Sequence, residues 1–124
     1  MKESVNRKFD IKNLSMLEHI HTLMEERKPY LNSKFSIIDL TNMLGTNRTY
    51  VSVYLNEVLG KSFFDFVNEF RLGVAEKLVC ETTENFSEIA AKSGFNSICT
   101  FRRAFIKKNG MTPGAYRDRY GRNN

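Results

Sequence analysis

The chain nearly repeats itself between "SIIDLTNMLGTNRTYVSVYL" at Ser36–Leu55 and "NFSEIAAKSGFNSICTFRRAF" at Asn85–Phe105. At an offset of 49, Ser36 pairs with Asn85, Ile37 with Phe86, Asp39 with Glu88, Leu40 with Ile89 and Gly45 with Gly94. Past the glycine the offset is 50, pairing Asn47 with Ser97, Val51 with Phe101, Leu55 with Phe105 and Gly60 with Gly110, so one residue is gained inside the turn. An internal repeat of this kind constrains architecture before any single residue is interpreted.

Each copy carries the same punctuation. Ser36 and Asn85 stand three residues before an acid, so each can close a capping box or a near variant of one and start a helix. Gly45 and Gly94 end those short helices, because glycine takes the left-handed conformation at little cost. Asn47 and Ser97 then cap a second helix two or three residues later. A helix, a short glycine turn and another helix make a helix-turn-helix, and the chain holds two.

Between the copies, "SFFDFVNEFRLGVAEKLVC" opens on a further capping variant, Ser62 with Asp65, and repeats apolar residues at helical spacing: Phe63, Phe66, Val67, Phe70, Val74 and Leu78. It predicts one long connecting helix. Gly73 within it costs up to ~1 kcal/mol relative to alanine, which implies either a close helix contact or a bend there. Upstream, Leu14, Leu17, Ile20, His21 and Met24 mark an amphipathic helix that ends before Pro29 and covers the first repeat. No segment alternates as a strand does, so the fold class is all-α. The organisation expected is a flexible arm or linker over 1–10, a first helix-turn-helix lobe over 11–60, a connecting helix over 61–80 and a second lobe over 81–122.

Composition narrows the function classes. With 124 residues, 41% of them apolar, the chain suits one domain or two small lobes that need no disulfide staples. Cys80 and Cys99 lie among apolar neighbours, which fits a reducing compartment. No apolar run approaches the roughly 20 residues that span a bilayer. From Asn85 onward there are eight basic residues against two acidic, and before it eleven against twelve. A basic second half on a near-neutral first half points to a polyanion, most often nucleic acid.

At 100° per residue the second helix of each copy sorts into two faces. After Ser97, Phe101, Ala104 and Phe105 fall on the core side, and Cys99, Arg102, Arg103 and Ile106 on the other. After Asn47, Val51, Tyr54, Leu55 and Val58 point inward, and Thr49, Ser52, Val53 and Asn56 outward. Short residues let a backbone approach the major groove, arginine can bridge O6 and N7 of guanine, and Val53 or Ile106 can meet a thymine methyl. The free amides beside Asn47 and Ser97 suit phosphate, and Lys61, Lys92, Lys107, Lys108 and Arg117 add phosphate neutralisation. His19 and His21 diverge on a helix and form no metal pair. Neither a nucleophile–base–acid constellation nor a glycine-rich phosphate loop is present, so neither an enzyme nor a cofactor site is expected.

From Phe86 to Arg117 the sequence "FSEIAAKSGFNSICTFRRAFIKKNGMTPGAYR" resembles the signature of the AraC/XylS family of bacterial transcription regulators. The resemblance is carried by Ile89-Ala90, Gly94-Phe95, Ser97, Phe101, Arg103, Phe105, Gly110, Thr112-Pro113 and Tyr116-Arg117. More loosely it runs from Leu14 to Tyr120, with Arg71 and Ala75 matching the family's connecting helix. It implies seven helices in two lobes, each placing its second helix in the major groove of double-stranded DNA. The base-contacting residues it implies are Arg48, Thr49, Ser52 and Val53 in the first lobe, and Ile98, Cys99, Arg102 and Arg103 in the second. It further implies transcription regulation by activation through RNA polymerase, in the bacterial cytoplasm at the nucleoid. Many relatives attach this module to a sensor domain, so the chain is either a stand-alone regulator or the output part of a longer one. A different class of function, a helical module that binds a partner protein through the same outward faces, predicts no salt-dependent, sequence-selective DNA binding.

Overall fold

The computed structural model describes the backbone of residues 2–122 and the side chains of residues 15–122. Among the described residues there are seven α-helices and no strand, as the all-α expectation has it. They are α1 (Lys2–Arg27), α2 (Ile37–Leu44), α3 (Arg48–Val53), α4 (Phe63–Glu81), α5 (Phe86–Lys92), α6 (Ile98–Asn109) and α7 (Pro113–Tyr120), with a 3₁₀ turn at Pro29–Leu31 and a π turn at Tyr54–Val58. The backbone of α1 takes in the stretch expected as a loose arm, and the Leu14 side chain lies outside the described residues. The chain divides into two compact units: Met1–Pro29 with Ser36–Phe64, and Tyr30–Phe35 with Asp65–Asn124.

In the first unit the local rules operate as the sequence indicates. Ser36 Oγ accepts the Asp39 amide at 3.2 Å while the Ser36 amide donates to Asp39 Oδ2 at 3.0 Å, a complete capping box. Gly45 ends α2 at φ 69°, and Asn47 Oδ1 takes the Tyr50 amide at 2.8 Å to start α3. Ile20, Leu23, Met24, Leu40, Val51, Tyr54 and Leu55 are buried. His21, expected at the core edge, is exposed, and Leu23 takes the inward position instead.

The π turn alters one expected position. The Leu59 amide reaches back to the Tyr54 carbonyl at 3.2 Å, and the Lys61 amide to Leu55 at 2.9 Å. This wider turn rotates more slowly than an α-helix. Val58, expected to point inward, therefore lags behind the core direction and is 40% exposed.

The second unit is built on α4. Its buried face comprises Phe66, Val67, Asn68, Arg71, Leu72, Ala75 and Val79, rotated from the face that apolar spacing alone marks, so Val74 and Leu78 move to its flank. Two polar residues, Asn68 and Arg71, lie within the buried stripe. Arg71 donates from Nε to the Tyr30 carbonyl at 2.7 Å and from Nη2 to the Asn32 carbonyl at 3.0 Å. Burial pushes its pKa below the usual arginine value, and those two carbonyls compensate its desolvation.

Around α4 pack Ile89 and Ala90 of α5 and the rings of α6. Phe95–Phe101, Phe101–Phe105 and Phe105–Tyr116 stand 5.5, 5.7 and 5.1 Å apart between centroids, a series that runs from the turn before α6 into α7. Gly94 closes this unit at φ 92°. A Cβ there would overlap the Tyr30 carbonyl oxygen and lie 2.8 Å from Leu31 Cα, so the site excludes every other residue on conformation and on space.

Gly73 lacks the close contact that would require it. The helix continues unbroken through it, and a Cβ there would meet nothing within 4 Å. The two glycines therefore respond oppositely to the same change. Gly73→Ala is expected to raise unfolding stability by roughly 0.5–1 kcal/mol. Gly94→Ala is expected to lower it by about 3 kcal/mol or more. Urea unfolding followed by circular dichroism measures both.

Candidate nucleic-acid interface

The second helix of each helix-turn-helix presents one face away from its core. In α6, Ser97 Oγ accepts the Thr100 amide at 3.1 Å and fixes where the helix begins. Phe101 and Phe105, fully buried, then fix which side faces in. Cys99, Arg102, Arg103 and Ile106 are left outward, Ile106 with 39% of its surface exposed. Among the described residues neither arginine has an ion-pair or hydrogen-bond partner, so both guanidinium groups remain available. Cys99 is a free, exposed thiol in the first turn of this helix.

Ile98 is placed differently from the other residues grouped with it: it is half-buried and packs against the second unit's core. It supports the start of α6 from the side of the exposed stripe. In α3, Arg48, Thr49 and Val53 are exposed, Val53 by 50%, and Ser52 is half-buried with its Oγ taking Asn56 Nδ2 at 3.4 Å. The two faces differ chemically. α6 offers two adjacent arginines and Lys107, whereas α3 offers one arginine among small and apolar groups.

The basic residues expected to meet phosphate separate into two sets. Lys107 is exposed and lies beside the Arg103 edge of the stripe. Lys108, one residue and about 100° further round, points back toward α4 and pairs with Glu76 at 2.9 Å. Lys92 pairs with Glu84 at 2.7 Å, and that hydrogen bond holds its pKa above the ordinary lysine value. Arg117 turns inward: its Nε donates to the Val79 carbonyl at 3.0 Å and its guanidinium lies 4.7 Å from the Phe86 ring centroid. Lys61 is half-buried after the π turn, and Asn47 and Ser97 use their side chains as caps. Glu76 and Glu84, the partners of these lysines, have no local signature: Glu76 is 32 positions from Lys108, and only the folded backbone brings the two together.

Among the described residues no group of His, Cys, Asp and Glu is arranged to hold a metal ion, and no helix is long and apolar enough to cross a membrane. The surface chemistry on display is that of exposed guanidinium groups and small side chains on a well-capped helix.

Residues 40–119 match a family model described as a helix-turn-helix domain. The chain is 28% identical over 118 residues to YtdP, an uncharacterized HTH-type transcriptional regulator of Bacillus subtilis, over 94% of this chain and 15% of that protein. The chain therefore spans only a small part of that relative's length. In structure it is similar to the C-terminal domain of the two-component response regulator YesN from Fusobacterium nucleatum, with a TM-score of 0.72 and 29% identity over 83% of this chain and 98% of that one. It is also similar to the DNA-binding domain of the transcriptional factor AdpA, solved in complex with a target DNA, with a TM-score of 0.71 and coverage of 84% and 90%. At 21% identity this last likeness is one of fold.

The inward turn of Arg117 is open to a direct check by thermal unfolding. Arg117→Gln removes the bond to Val79 and the contact with Phe86, and is expected to cost about 1–2 kcal/mol of stability. Lys107→Gln, on the open side of α6, is expected to change stability by less than about 0.5 kcal/mol.

Proposed function

Because this chain belongs to the AraC/XylS-type helix-turn-helix family, a family of DNA-binding transcription regulators rather than enzymes, we propose that it binds double-stranded DNA sequence-specifically. In this reading α3 and α6 each enter a major-groove segment, and the protein activates transcription in contact with RNA polymerase in the bacterial cytoplasm. The observation that carries the DNA reading is the outward face of α6, where Arg102 and Arg103 stand without partners among the described residues, between Cys99 and Ile106. Two exposed arginines on a capped helix, free of large aromatics on that face, match what guanine edges require. The AdpA domain, of the same fold and solved with its target DNA, supports the same role.

Within this reading the base-edge residues are Arg102, Arg103 and Cys99 in α6, with Ile98 bracing the first turn, and Arg48, Thr49, Ser52 and Val53 in α3. Phosphate is met by the first amides of α3 and α6, beside Asn47 and Ser97, and by Lys107, with a lesser part for half-buried Lys61, which has an interaction of its own. Lys92, Lys108 and Arg117 reach phosphate only by giving up the bonds they hold, so they contribute less to affinity than their charge suggests. A sensor domain is proposed as a further partner on the family resemblance, and the chain matches only 15% of YtdP.

Selection of bound duplexes from a random pool is the test. It is expected to recover a preferred sequence with two contacted segments about 10 to 10.5 bp apart, centre to centre. Recovery of no preferred sequence refutes the reading, and a single contacted segment refutes the part assigned to α3. On the recovered duplex, Arg103→Ala is expected to cost about 1–3 kcal/mol and to relax preference at one base. Lys107→Ala is expected to weaken all duplexes alike and to reduce the salt slope by about 1.

A further inference from the structure

Glu76 on α4 receives two side chains from the end of α6. Its Oε1 accepts Lys108 Nζ at 2.9 Å and Asn109 Nδ2 at 3.3 Å. Asn109 Nδ2 also lies 3.2 Å from the Phe105 carbonyl of its own helix, and directly after it Gly110 turns the chain away at φ 71°. The Glu76 side chain keeps only 20% of its surface exposed. Consecutive residues on a helix point about 100° apart. One oxygen that holds both Lys108 and Asn109 therefore constrains the rotation of α6 about its own axis, as well as the distance of its last turn from α4.

The remaining contacts that hold α6 are of another kind. Phe101 and Phe105 attach it by apolar and ring contact that fixes which side faces in, and the Glu76 bonds add a directional polar constraint at its last turn. Arg103 lies five residues before Lys108, about 7.5 Å along the axis, so rotation at the Glu76 end carries through to the arginines. A bidentate arginine–guanine pair is sensitive to such rotation, whereas a phosphate contact tolerates it.

We infer that Glu76 is a positioning residue for sequence discrimination: by holding Lys108 and Asn109 it sets the rotation of α6 at which Arg102 and Arg103 read base edges. This rests on α6 being a DNA-reading helix. An ion pair whose lysine is largely solvated adds little to stability by itself, so the effect of Glu76 is expected in the ratio of affinities for different duplexes.

The test uses the full chain, a duplex recovered by selection on the wild type and a scrambled duplex of the same composition. Dissociation constants for both come from fluorescence anisotropy over a salt series, with circular dichroism as the check on folding. Glu76→Ala is expected to lose about 10-fold of the affinity ratio between the two duplexes, while scrambled-duplex affinity stays equal or tightens because a negative charge is gone. The charge-swapped double variant, Glu76→Lys with Lys108→Glu, keeps the wild-type net charge and is expected to recover much of the ratio. An unchanged ratio in folded Glu76→Ala overturns the inference, as does a swap that recovers nothing. If Glu76→Ala does not fold, Glu76→Gln gives the same decision, since it keeps an oxygen for Asn109 and loses the ion pair; a partial loss of ratio supports the inference and no loss overturns it. A wild type that does not distinguish the two duplexes refutes the DNA reading itself, whereas a wild type and variant with equal discrimination refute only the role of Glu76.

Discussion

The guanidinium of Arg71 is the fixed point of the second unit. It is 6% exposed, and its charge is met by the carbonyls of Tyr30 and Asn32 instead of by a carboxylate. The bond from Arg71 satisfies the Tyr30 carbonyl inside the unit, while the Asn32 carbonyl, on an exposed residue, also accepts the Phe35 amide at 3.1 Å. The same Tyr30 carbonyl lies against Gly94, where no side chain fits. Arg71 therefore holds the segment that determines how closely the turn between α5 and α6 can pack, and through that turn it bears on where α6 begins. Tyr30 also stacks on Phe70 at 5.4 Å, which secures the segment from its apolar side.

What the sequence made legible is what depends on near neighbours. Ser36 with Asp39, Asn47 with Tyr50, Asn85 with Glu88 and Ser97 with Thr100 are bonds within three residues, so type and spacing alone reveal them. The inward rings of α6 were legible for the same reason, because helical period fixes Phe101 and Phe105 together. The buried face of α4 was harder, since an apolar count passes over Arg71, whose value lies in carbonyls about forty residues away. Val58 was misplaced because nothing local announces that the helix widens into a π turn after Val53.

The candidate interface shows the same boundary between local and distant information. Cys99, Arg102, Arg103 and Ile106 follow from rotation about one helix axis, and the structure places them outward. Charge counting treated Lys107 and Lys108 alike, yet one is open and the other is tied to Glu76. Arg117 likewise looks like one more cation in a basic tail until its bond to Val79 and its contact with Phe86 are seen. A basic segment thus divides into charges that hold the fold together and charges left for a partner, and only tertiary structure separates them.

The division of the chain has a consequence for how it is made and how it comes apart. The segment Tyr30–Phe35 belongs to the second unit, yet it lies in sequence between two parts of the first. No single cut in the chain separates the units intact: a break after Phe64 leaves the Arg71 carbonyl partners on the wrong fragment. During synthesis from the N-terminus, this segment leaves the ribosome about sixty residues ahead of Gly94, one of its close neighbours. The second unit is therefore completed only when α4 and the turn at Gly94 have also been made.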